Sequence, residues 1–140
     1  TQTSAVQARV MLANEEKFEY YLGIMKEIGK NTIKNTDGAL AVYLRINPEL
    51  RNNVGFFLVK DGKTDEIIDN ELTDIMAYDK DDFEHVGWYY HPIEQKKPIW
   101  LDPYYNKNIG YDMISYIIPM YHNGVTIGVI GMDIDVELIR

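Results

Sequence analysis

The chain has 140 residues, 46% of them hydrophobic and 12% aromatic, which supplies the core of one domain and excludes a disordered chain. A formal net charge of -8, with no basic run interleaved with aromatics, excludes nucleic-acid binding and adhesion to an anionic membrane surface. The absence of cysteine excludes disulfides, thiolate metal sites and a cysteine nucleophile together, and leaves the compartment open.

From residue 5 to residue 33 apolar positions, among them Val10, Phe18, Leu22, Met25 and Ile28, recur at steps of three and four. The spacing predicts one amphipathic helix. At 1.5 Å per residue it would extend about 42 Å, longer than the domain that follows, so part of it is expected to project or to pack on another chain. Asn35, Asp37 and Gly38 end it. Residues 39–46 and 55–59 then read as strands around a polar turn with Pro48, and Lys60-Asp61-Gly62-Lys63 reads as a tight turn. Residues 64–82 are acidic and weakly patterned, a loop with short strand or helix pieces.

Residues 82–96 predict a short helix capped by Asp81 or Asp82, its regularity limited by Pro92. The chain ends on its clearest signal, two β-branched apolar runs, 111–121 and 125–134, joined by His122-Asn123-Gly124. This is a β-hairpin with an Asn-Gly turn, and Pro119 within its first run predicts an edge position or a bulge. The fold class is α+β, a long N-terminal helix on an antiparallel sheet of about five strands. No apolar run approaches the ~18 to 20 residues of a membrane span. A helical pattern from the first residues and an apolar stretch running up to Arg140 lead to the expectation of a domain excised from a longer protein.

Enzyme signatures are missing: there is no Gly-rich phosphate loop, no G-x-S-x-G and no H-E-x-x-H. His85 and His91, six residues apart, do not share a helix face, and Asp79, Asp81 and Asp82 lack the spacing of a calcium loop. Neither a metal nor a cofactor is expected. One constellation rises above this background: Trp88 and Tyr89 on the short helix, Trp100 and Tyr104 after it, and Asp133 late in the last strand. Aromatic walls with one carboxylate suit a small amine, since rings attract cations over their faces and the carboxylate fixes the ammonium. The plain alternative makes the rings core and turns Asp133 to water.

At these residues the sequence resembles the Cache sensors, PAS-like extracellular domains of chemoreceptors, histidine kinases and diguanylate cyclases. The resemblance rests on Gly87-Trp88-Tyr89-Tyr90, Lys97-Pro98-Ile99-Trp100, Asp102-Pro103-Tyr104, the run 114–120, and Asn123-Gly124 leading to the run 127–134. It implies a single Cache module, with residues 1–35 as a signalling helix and 36–140 as the sensor domain, together one structural unit. It also implies flanking membrane helices, an extracytoplasmic location, and a pocket between the sheet and the helix and loops.

Amino-acid-binding members carry R-x-W-Y, then Y-x-D, then a late Asp; Trp88, Tyr89, Tyr104 and Asp133 match. Val86 stands where the carboxylate-binding Arg would be, and Asn106 replaces the first Asp. The candidate ligand set is therefore Trp88, Tyr89, Trp100, Tyr104, Asn106 and Asp133. The missing Arg shifts the expected ligand from an ordinary α-amino acid toward an amine or another small polar metabolite, unless Arg45, in the first strand, supplies the cation. Two functions compete: a ligand-sensing module of a transmembrane receptor, and a structural module that pairs with a second copy through the long helix. An enzyme would need a paired nucleophile and base, which the sequence does not offer.

Overall fold

The computed structural model describes the backbone of residues 2–106 and 111–139 and the side chains of residues 14–103 and 112–137. Helix α1 (Gln2–Asn35) leads into strands β1 (Ala39–Ile46), β2 (Gly55–Lys60) and β3 (Ile67–Asp69). A 3-10 turn (Ile75–Ala77), helix α2 (Phe83–Gln95) and the short strands β4 (Ile99–Trp100) and β5 (Tyr104–Asn106) follow. The hairpin β6 (Tyr111–His122) and β7 (Val125–Asp135) and a last 3-10 turn (Val136–Ile139) complete the chain.

All strand pairs are antiparallel, in the order β3-β2-β1-β7-β6-β4, with β5 also on β6. The sheet thus has seven strands against the five or so expected. The strands without a sequence signal of their own are β3, β4 and β5, pieces of two or three residues, too short to show an alternating pattern.

β1 is central and buried along its whole length, so alternate residues feed two cores. Val42 and Leu44 join Phe56, Leu58 and Ile33 on the α1 face. Tyr43 joins Val129, Ile117, Val86 and Tyr89 on the α2 face. Helix α1 lies close on its sheet face because Gly29 has no side chain: a Cβ there would stand 3.1 Å from Leu58 Cδ1 and 3.3 Å from the Phe56 ring. An ion pair between Lys26 and Asp69, and Arg51 Nη1 donating to Glu15 Oε1 at 2.6 Å, tie the helix to the β2–β3 side of the domain.

Helix α2 starts where Asp82 accepts from the His85 amide at 3.2 Å. It continues through Pro92 to a left-handed Lys96 whose amide returns to the Pro92 and Ile93 carbonyls. The hairpin turn places both Asn123 (φ 50) and Gly124 (φ 78) at positive φ, the form whose twist matches paired strands. Pro119 lies beyond the β4 pairing, which reaches only Ile117, and the register slips between Met120 and Tyr121. The 61–66 turn departs from expectation: Asp65, not Gly62, takes positive φ, and the Asp61 carboxylate holds the Lys63 amide and Thr64 hydroxyl. No described helix is long and apolar enough to cross a membrane.

Candidate functional site

Strand parity gathers the chemistry on the α2 face. Arg45 pairs with Val129, Tyr43 with Gly131 and Ala41 with Asp133 across β1 and β7, while Ser115 pairs with Asp133 across β6 and β7. Cross-strand partners share a face, so Arg45, Tyr43, Ser115 and Asp133 stand in one field. At Gly131 the field has a gap, and the Tyr43 ring fills it: a Cβ there would lie 2.2 Å from Tyr43 Cζ. Trp88, reaching down from α2, meets Tyr43 edge-on at 5.6 Å and is fixed by its indole N–H donating to the His85 carbonyl at 2.8 Å.

Above this floor is a cavity of about 630 Å³, within the usual size of a small-molecule site. Tyr43, Trp88, Phe57 and Leu101 give it apolar walls, and Phe83, Glu84 and Asp102 stand at its exposed side. Gly87 positions Phe83, since a Cβ at Gly87 would come within 2.7 Å of the Phe83 ring.

Two charged groups reach this cavity from the sheet, each 3% exposed. Asp133 accepts a hydrogen bond from the Ser115 hydroxyl, itself buried. Arg45 donates from Nη2 to Asn53 Oδ1 at 3.1 Å, and its guanidinium carbon lies 5.7 Å from the centre of the Trp88 ring. Burial lowers the Arg45 pKa, against the nearby Tyr89 and Asp74, but a guanidinium stays charged at any physiological pH. The Tyr89 phenol is pushed well above its ordinary pKa, chiefly by burial, and remains neutral.

Of the residues proposed from sequence, Trp88 and Asp133 line the cavity together. Tyr89 sits beside it in the core, T-shaped against Trp88 and Tyr90. Trp100 is on the other face. Ile99 takes the buried side of β4, opposite Ile117, which leaves Trp100 opposite Tyr116, 55% exposed and packed on that ring at 4.5 Å. Tyr104 and Asn106 pair through their backbones with Met113 and Tyr111, and their side chains lie outside the described residues. Sequence reasoning did not single out Tyr43, Ser115, Phe57 or Phe83. Arg45 carried a readable signal, as the one charged residue in an eight-residue apolar strand.

Residues 25–140 match the profile of the methyl-accepting chemotaxis protein-like family, first PDC sensor domain, and the chain belongs to that family. The Cache-type, PAS-like fold expected from the sequence fits it. Solved structures agree in fold. The extracellular domain described as that of histidine kinase mmHK1S-Z2 superposes with a TM-score of 0.63 at 19% identity, over 84% of this chain and 46% of that one. The ligand-binding domain of the Campylobacter jejuni chemoreceptor Tlp3, solved with L-valine, gives 0.61 at 22% identity, over 87% of this chain and 44% of that one. Methyl-accepting chemotaxis protein X gives 0.60 at 18%, over 79% and 45%. The chain thus spans less than half the length of each. No curated protein matches it at a significant level.

Proposed function

We propose that this domain is the extracytoplasmic sensing part of a transmembrane receptor, and that it binds a small amine or amino-acid-like metabolite in the cavity between the sheet and α2. The observation that carries this reading is Asp133: a buried carboxylate oriented by Ser115 on the wall of an aromatic cavity. A carboxylate at that depth discriminates strongly for a cationic group, because an ion pair shielded from water is far stronger than one at the surface. The aromatic faces of Tyr43 and Trp88 add attraction for the same charge. Tlp3, whose sensory domain was solved with isoleucine and with L-valine, supports a ligand of this size by likeness of fold. The domain acts by binding, without a chemical step. A ligand alters the receptor's output only through different affinity for two arrangements of the domain, with α1 as the element that carries the change.

A structural module without a ligand would fill this space with side chains; the open cavity favours the sensor. Pairing of two copies through α1 is compatible with either function. It is supported by Tyr20, Tyr21, Ile24 and Ile28, which stand exposed at helical spacing on the side of α1 away from the sheet.

A thermal-shift screen with amines, amino acids, short carboxylates and purines tests the sensor reading. A ligand at 100 times its Kd stabilises the domain by about 2.7 kcal/mol, a shift of several degrees for a domain of this size. Amines or amino acids should give that shift, and a screen flat in every class would refute the reading.

A further inference from the structure

We propose that Arg45 is the carboxylate anchor of this cavity and that the ligand is an elongated zwitterion, an ω-amino acid in class, lying with its carboxylate at Arg45 and its ammonium at Asp133. The inference rests on the ligand-binding reading above.

Arg45 is buried on the central strand, where a guanidinium is costly to keep unless its charge is met. Asn53, which accepts from Nη2, is neutral, and the Asp74 carboxylate attracts the charge without a hydrogen bond to it among the described residues. Nε has no acceptor, the one such buried side-chain atom among the described residues. Native proteins rarely leave a buried donor unmet, and a functional partner is a recurrent reason when they do. Room for one lies in the cavity that Arg45 lines, and its cross-strand neighbours, Gly55 on β2 and aliphatic Val129 on β7, bring no polar side chain to it. A carboxylate is the acceptor that meets a guanidinium edge with two parallel bonds.

The register spaces the two anchors at the backbone: Val129, opposite Arg45, and Asp133 are four residues apart on β7, about 14 Å at the antiparallel rise of ~3.4 Å per residue, with the guanidinium drawn toward the Trp88 ring. Between them lie the Tyr43 ring over Gly131 and the Trp88 ring beside it. The positive and negative ends are therefore separated by an apolar floor. An α-amino acid carries both charges on one carbon and cannot reach both anchors, whereas a chain of methylenes over the rings joins them. Among the described lining residues the other charged groups, Glu84 and Asp102, are carboxylates, so Arg45 is the cation to which a ligand carboxylate can turn.

Calorimetric titration of the domain with glycine, β-alanine, 4-aminobutanoate, 5-aminopentanoate and 6-aminohexanoate, and with butylamine and butanoate, tests this. Affinity should rise with chain length to an optimum at least tenfold tighter than glycine and than either one-charge compound. Arg45→Met, close in volume, should erase the advantage of the ω-amino acid over butylamine while leaving the melting temperature unchanged or higher. Arg45→Lys, which keeps the charge and loses the fork, should not restore it. Tightest binding by glycine, equal binding of butylamine, absence of binding across the series, or an unaltered preference in Arg45→Met would each overturn the proposal. Should Arg45→Met fail to fold, the chain-length series on the unaltered domain still decides. Butylamine binding without any zwitterion preference would overturn this inference and leave the sensor reading standing.

Discussion

Ser115 on β6 and Asp133 on β7 are direct cross-strand partners, and the serine hydroxyl donates to the carboxylate where both side chains are almost out of reach of water. This fixes the rotamer of the anionic end of the cavity before a ligand arrives. Asp133→Asn preserves the shape and removes the charge. It should weaken an amine ligand about 10- to 100-fold, the equivalent of roughly 1.5 to 3 kcal/mol for a charge-assisted bond, with little loss of stability. Calorimetry beside a urea melt separates the two effects, and an equal loss in both would make Asp133 structural.

Gly131→Ala should damage both the fold and the site. The new methyl would fall on the Tyr43 ring, which is held between Gly131, Phe57 and Trp88. Overpacking of this kind costs typically about 1 to 3 kcal/mol, and a displaced Tyr43 takes the cavity floor with it. A denaturant midpoint unchanged from the parent would show that the ring swings away freely.

Gly29→Leu tests the opposite face. Leu58, Phe56 and Val42 close around Gly29, so a branched side chain should pry α1 from the sheet at a similar cost, about 1 to 3 kcal/mol. Because coupling between α1 and the cavity is reciprocal, ligand affinity of the folded fraction should change too, by about fivefold or more. An unchanged affinity would show that α1 does not carry the change.

Alkaline stability should depend on Tyr89. Its folded-state pKa is raised, first by burial and then by the neighbouring Tyr90 and Glu49. The unfolded chain releases the phenolic proton near pH 10 while the folded chain keeps it. Stability is therefore complete below that pH and falls above it by about 1.4 kcal/mol per pH unit for this group, until the folded pKa is reached. Tyr90 and Tyr121 are shifted in the same direction. Melting curves between about pH 9.5 and pH 11 should fall less steeply for Tyr89→Phe than for the parent; superimposable slopes would mean that Tyr89 ionises within the fold.

Local signals carried most of the fold. The Asn123-Gly124 hairpin, the apolar run of β1 and the spacing of α1 each follow from a few adjacent residues, and each formed within two or three residues of its predicted bounds. The site was legible only in part because it depends on register. That Tyr43, Arg45 and Asp133 share a field follows from the pairing of β1 with β7, which no stretch of either strand encodes by itself. Trp100 shows the same limit in miniature. In a strand of two residues the choice of face rests on one competition, and Ile99 takes the core.

Only two tryptophans are present, Trp88 on the cavity wall and Trp100 on the far face of the sheet, so fluorescence can report the cavity alone. Titration of the Trp100→Phe domain with the amine and amino-acid panel measures whether Trp88 senses a bound molecule. A saturable change is expected for at least one compound, moved to about 10- to 100-fold higher concentration in Asp133→Asn and absent from the Trp88→Phe domain. A change carried by Trp100, or none from Trp88 with any compound that stabilises the domain, would contradict a ligand site in this cavity.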